Sequence, residues 1–335
     1  TVSNITLIDT VALAIDFAML SHKTTLSDNS EVLQTPVLSF NLKTQALSLG
    51  TDTISTIGSS LFIGGNSGLA STGGLNVGIG VDTLKSNILG ANHVALGYQS
   101  LYSNTFGSKN VALGAQSLYS NTTGSNNVAN GYQALQSNTT GGQNTASGYQ
   151  ALQSNTTGGN NVANGYQAFS KNISGMDSVA SGFQALYFNT TGSSNTAVGH
   201  QSLRLNTTGS NNSAIGRQSL HSNSTGSQNV SSGFQSLFNN TTGVNNIANG
   251  YKSLFYNTTG LNNVASGTES LFSNTTGVNN VANGVQALVF NTTGIQNVAI
   301  GTQALKSNTI GGENTASGYQ ALQSNTTGTG NTAIG

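Results

Sequence analysis

Residues 126–142 read NNVANGYQALQSNTTGG, and residues 143–159 repeat the phrase almost letter for letter as QNTASGYQALQSNTTGG. Aligned on Gly80, Gly97, Gly114 and Gly131, a constant spacing of 17 runs without insertion to Gly335, giving sixteen glycines in one register. A second glycine column runs from Gly90 to Gly328, and an Asn column from Asn87 to Asn325 precedes it by three places. Self-similarity at a short fixed period marks a stacked architecture in which each repeat packs on its neighbours.

The punctuation suggests the path of each coil. Glycine supplies positive φ at little steric cost, and Asn tolerates left-handed backbone while bonding nearby backbone groups. Each Asn-Thr-Thr-Gly therefore reads as one corner, with Gly107, Gly124 and Gly141 as its turn glycines, and Gly97, Gly114 and Gly131 make a second corner. Between corners, Leu101, Leu118 and Leu135 belong to a column that only Phe169 interrupts, as expected of buried positions. Ala95, Ala112 and Ala129 form a small-residue column with Gly78 and Ser231 as exceptions, implying tight packing. The place after the Leu column holds Tyr102, Gln136, Arg204, His221, Phe238 and Lys306, a variety expected of a surface.

Segments this short between corners fit strands rather than helix pairs. Stacked coils would set each strand beside its copy at roughly 4.8 Å, for a rod on the order of 70 Å long. The expected fold is all-β: a β-solenoid (β-roll) of about fifteen 17-residue coils. Each coil offers one Leu, one Ala and a Val/Thr position such as Val128, little burial against the entropy of ordering the chain. A second face buried against other chains is therefore expected, most simply as a homotrimer. Residues 1–56 lack the period and read as a β-rich adaptor or connecting segment, with strands at Val37–Lys43 and Ala46–Leu49. Residues 57–75 read as degenerate capping coils, and 76–335 as the repeat shaft.

Composition narrows the function. Nine Lys+Arg balance nine Asp+Glu among 335 residues, so no basic field exists for nucleic acid. Apolar content of 35% at zero net charge favours order over disorder. No Cys is present, which removes disulfides, thiolate metal sites and thiol nucleophiles together. The apolar run Val11–Leu20 is short, holds Asp16 and lacks a cationic leader, so neither signal peptide nor membrane insertion is expected. The chain starts at Thr1 without Met and stops at Gly335 inside a repeat, as a processed or partial version of a longer polypeptide would.

The stretches Asn92-His-Val-Ala-Leu-Gly-Tyr-Gln-Ser100 and Asn110-Val-Ala-Leu-Gly-Ala-Gln-Ser117 resemble the Asn-x-Val-Ala-Leu-Gly-x-x-Ser motif in the β-roll head of trimeric autotransporter adhesins. The longer unit with Gly-Tyr-Gln-Ala-Leu-x-Ser-Asn-Thr-Thr-Gly is similar to repeat arrays in tail-fibre-like proteins of phages, giant viruses and environmental bacteria. The likeness covers residues 76–335 and implies homotrimers of short-stranded coils on a virion surface or outside a cell. It also implies self-association as a homotrimer or filament, with cell-surface glycans or a receptor as partner. The expected function is a rigid trimeric shaft of an attachment fibre; the alternative is a self-assembling extracellular fibril or adhesin, glycosylated on its Asn column.

Candidate chemistry is sparse. No acid, base or thiol recurs in phase, so no catalytic residue, cofactor or metal site is expected and an enzyme is disfavoured. His200 and His221 are 21 apart, four places out of register. Asn-x-Ser/Thr sequons recur at Asn121, Asn138, Asn155, Asn172, Asn189, Asn206, Asn223, Asn240, Asn257, Asn274, Asn291 and Asn325, so a stripe of N-glycans is one reading. Against it, the second Thr becomes Leu89, Phe106 and Ile310, which suggests a packing role. Adjacent Thr139 and Thr140 would point to opposite sides, against an ice-binding ladder. The aromatics Tyr98, Tyr132, Tyr149, Tyr166, Phe183, Phe234, Tyr251 and Tyr319 share a column, suited either to glycan stacking or to interchain and surface packing, the second being favoured.

Overall fold

The computed structural model describes residues 38–41, 46–49, 52–57 and 59–335. The apolar run Val11–Leu20 and most of the adaptor lie outside the described residues. Strands β1 (Leu38–Asn41), β2 (Ala46–Leu49), β3 (Asp52–Ile57) and β4 (Ser60–Ile63) form an antiparallel meander. From β4 onward pairing turns parallel, through β5 (Val77–Ile79) and one three-residue strand in every coil to β20 (Thr332–Ile334). The described chain is all-β with no helix, a β-solenoid in which each strand lies on its own copy.

Register follows the sequence period. Ala129 faces Ala112 on one side and Ala146 on the other, and every strand from β5 onward pairs with the next at the spacing of the sequence repeat. The first interval differs, because Leu61 pairs with Val77 and falls one place short of that spacing. The cap is thus one coil, a residue short. Its Phe62 fills the interior where later coils place Ala, and a Cβ on Gly78 would lie 2.9 Å from the Phe62 ring. That explains one of the two exceptions in the Ala column.

The solenoid corrects the expectation that both segments of a coil are strands. Only Val128–Asn130 and its copies are. The Leu-bearing segment is a run of turns in which Gln133 and Leu135 sit at φ of 55° and 52°, values repeated at each copy. Left-handed backbone costs roughly 1–2 kcal/mol for an L-residue. It persists because bonds to neighbouring coils define it: Gln133 N–H donates to Ala115 O at 3.0 Å and Leu135 N–H to Ala151 O at 3.0 Å. Among the described residues, every non-Gly residue with positive φ is unbranched at Cβ, with no Val, Ile or Thr among them. β-branched residues suffer most in this region, so the Leu column is fixed by backbone as well as by burial.

The two glycine columns have different causes. Gly131 has φ of 142° and makes the corner as expected. Neither Gly141 nor Asn138 is left-handed, which corrects the reading of Asn-Thr-Thr-Gly as a left-handed corner. A Cβ on Gly141 would instead meet Gly158 O at 2.3 Å and Asn138 Oδ1 at 2.5 Å, so space alone demands glycine there.

The interior is a stack of single layers. Leu101, Leu118, Leu135, Ala95, Ala112 and Ala129 are all fully buried, as is the unforeseen neighbour Ala134. With them lie Asn127 and Asn138, each 0% exposed, and in coils where Ser replaces Ala134, such as those of Ser100 and Ser202, a third buried polar residue.

Candidate functional site

Both buried Asn columns are hydrogen-bonded ladders. Asn138 Nδ2 donates to Asn121 Oδ1 at 2.8 Å and to Gly141 O at 2.8 Å, which uses both amide hydrogens. Asn127 Nδ2 donates to Gly141 O at 2.9 Å, while its Oδ1 accepts from the Asn144 backbone N–H at 3.0 Å. Buried amides without partners would be costly, and here each is satisfied along the axis. The sequon reading is corrected accordingly. Asn121, Asn155, Asn172, Asn189, Asn206, Asn223, Asn240, Asn257, Asn274 and Asn291 are as buried as Asn138. Asn325, in the last coil, is half-buried but keeps both bonds. A sugar on Nδ2 would remove a bond and have no path out. Leu89, Phe106 and Ile310 do not fill a core either, being 61%, 56% and 58% exposed.

His93 shows how strict the Asn127 column is. Its Nδ1 accepts from Asn110 N–H at 3.2 Å, the role of an Asn oxygen, and its Nε2 lies 2.8 Å from Gly107 O. Asn104 Nδ2 is 3.1 Å from the same nitrogen, but its hydrogens serve Asn87 Oδ1 and Gly107 O. Nε2 therefore carries the hydrogen, and the neutral imidazole imitates a carboxamide. Burial holds the His93 pKa below the usual histidine value.

Outside, charge is segregated. From residue 76 onward all charged side chains occupy the columns of Asn126, Tyr132, Gln133, Gln136 and Ser137. The outward positions of the strands, such as Val128 and Asn130, carry none in any coil, and Val128, Val162, Val230 and Ile247 stand exposed there.

The charged face bears three ladders. Gln133 Nε2 donates to Gln116 Oε1 at 2.9 Å, and Gln150 to Gln133 at 2.9 Å. Beside it, Tyr132, Tyr149, Tyr166 and Phe183 stack at centroid distances of 5.4, 5.1 and 5.3 Å with nearly parallel planes. Within this run the ring faces meet one another, which disfavours glycan stacking on Tyr149, Tyr166 and Phe183. On the other side the Gln136 column, read from sequence as a mere variable surface, stacks Phe238, Phe255 and Phe272 at 5.3 Å per step. Lys252 joins the rails, its Nζ lying 5.3 Å from the Tyr251 centroid and 5.5 Å from that of Phe255. Sequence reasoning missed this second rail because its residues vary; adjacency in the period was the signal available.

His200 and His221 fall in separate rails, on Phe183 at 5.1 Å and Phe238 at 4.9 Å. Burial, with Arg204 nearby, lowers the His221 pKa to about 4. Among the described residues no three metal-ligating side chains cluster, and no helix is long and apolar enough to cross a membrane.

Fold and ladders together define a tandem-repeat β-solenoid. No family model, no curated protein and no solved structure matches the chain, so its function is argued from this geometry.

Proposed function

We propose that the chain is a structural fibre protein, the rigid trimeric shaft of an attachment fibre working outside the cell or on a virion surface. The observation that carries this reading is the axial bonding: backbone and two Asn columns link coil to coil along the solenoid, and a Gln column interrupted at Lys252 adds to them. Bending or stretching such a rod breaks many bonds at once.

The charge-free strand face supports assembly of several chains. It is about 70 Å long and about 10 Å wide by strand geometry. That area of roughly 700 Å² is close to the roughly 800 Å² per partner of a stable interface. A face with exposed Val and Ile and no charge is the one a chain would bury. The charged columns then remain outside and keep the fibre soluble.

Sedimentation and cryo-electron microscopy of the purified chain test the proposal. Three chains around an axis in a finite rod are expected, with Val162→Lys and Val230→Lys together reducing the trimer to monomer. An indefinite filament would favour the self-assembling fibril instead, and a monodisperse monomer would sink the shaft.

A further inference from the structure

The only two arginines of the chain, Arg204 and Arg217, and two of its four histidines fall in the short stretch from His200 to His221. The register makes them a square. Arg217 lies one period after His200 in one rail, and His221 lies one period after Arg204 in the other. Their coils are bonded directly, Gln218 N–H to His200 O at 2.9 Å and Leu205 N–H to His221 O at 3.0 Å. Stacked side chains in such neighbours are roughly 4.8 Å apart.

Nothing in the coil requires cations here. The same columns hold Tyr, Thr and Val or Gln, Tyr and Phe in other coils. Placing two guanidiniums on adjacent coils costs repulsion, and no carboxylate relieves it. Asp177 belongs to the Asn126 column and Glu269 lies three coils away. Among the described residues the one ion pair is Lys85 with Asp82. The guanidiniums are nonetheless held in place. Arg204 Cζ lies over Tyr187 at 5.6 Å and Phe188 at 5.3 Å, and its Nε–H donates to Gln184 Oε1 at 3.0 Å. Arg217 Cζ lies 5.8 Å from the Phe234 ring. Between them the Gln201 and Gln218 amides form a polar floor.

We propose that Arg204, Arg217, His200 and His221 form a site for an acidic linear glycan, its carboxylate or sulfate held by the arginines and its hydroxyls by the Gln floor. A fixed guanidinium fork matches a pair of oxygens on a carboxylate or a sulfate. The amide floor offers donors and acceptors suited to a hydroxyl-rich chain. Nucleic acid fits poorly, because a phosphate at every step would call for cations in every coil, whereas residues 76–335 hold only two arginines and five scattered lysines, against four carboxylates. This inference goes beyond the shaft reading and stands whether the assembly has one chain or three.

The test is calorimetric titration of the full chain with polygalacturonate, dextran sulfate and unsubstituted dextran. Wild type should bind one or both acidic polymers and ignore dextran. Preference for polygalacturonate would assign a carboxylate ligand, and preference for dextran sulfate a sulfate. Arg204→Gln with Arg217→Thr introduces residues that those columns hold natively, so the solenoid should persist, as circular dichroism would verify. The double variant should lose about tenfold or more in affinity, whereas Lys306→Gln on the same face should bind as wild type. Equal binding by the double variant, equal loss in Lys306→Gln, or no binding of either acidic polymer by wild type would overturn the site.

Discussion

Asn138 Nδ2 donates to Asn121 Oδ1 at 2.8 Å, and Asn155 Nδ2 donates to Asn138 Oδ1 at 2.7 Å, so one carboxamide joins three coils. Replacing Asn138 by Ala leaves Asn121 Oδ1 without its donor and one Asn155 N–H without an acceptor, both in the core, while Gly141 O keeps its bond from Asn127. Loss of a buried partner costs about 1–3 kcal/mol for each group left unsatisfied. Asn138→Ala should therefore destabilise by about 3 kcal/mol or more, read as a shift in denaturant midpoint. Thr140→Ala, on the exposed side of the same corner, should change it by less than about 0.5 kcal/mol.

Leu135 is held at φ of 52°, where branching at Cβ is penalised. Leu135→Ile keeps the volume yet should cost about 1–3 kcal/mol. Leu135→Met, unbranched at Cβ, should cost less than about 1.5 kcal/mol. Equal melting temperatures for the two variants would contradict a backbone origin of the Leu column.

Gly141→Ala separates space from conformation. Its φ is ordinary, yet the new methyl carbon would meet Gly158 O at 2.3 Å. Overpacking against backbone should cost about 3 kcal/mol or more. Gly142→Ala, one place on, would have its methyl carbon 3.0 Å from Ser125 O with no second close neighbour, and should be far milder.

Acid should weaken the fold through its buried imidazoles. For His93 and His221 the folded pKa lies below the ordinary 6.5, at about 4 for His221. The folded state then binds fewer protons than the unfolded chain. This contribution to stability is complete above about pH 6.5 and falls as pH drops towards the folded pKa values. Melting temperature should thus decline between pH 6.5 and 4. His93→Asn restores the carboxamide its column prefers and should flatten part of that decline; an unchanged profile would count against His93 as a neutral stand-in for Asn.

Much of this architecture was legible in the sequence. An uninterrupted period forces each residue onto its copy, and period alone yields the stacked coils, the Leu and Ala columns and the corner at Gly131. The left-handed Leu segment was written there too, in the absence of β-branched residues from the Gln133 and Leu135 columns, though strand expectations hid it. The near-invariance of the Asn127 column, broken only by His93 and Ser178, was likewise a sign of burial. Tertiary structure alone decided which Asn amides face inward, because a sequon and a core ladder share the same letters and differ only in the side chain's direction. It also decided that the two rails flank the Gln ladder, since columns four places apart share one face only when the turns between them fold back. The square of Arg204, Arg217, His200 and His221 exists for that reason: stacking supplies the axial neighbour, and the fold of each coil supplies the lateral one.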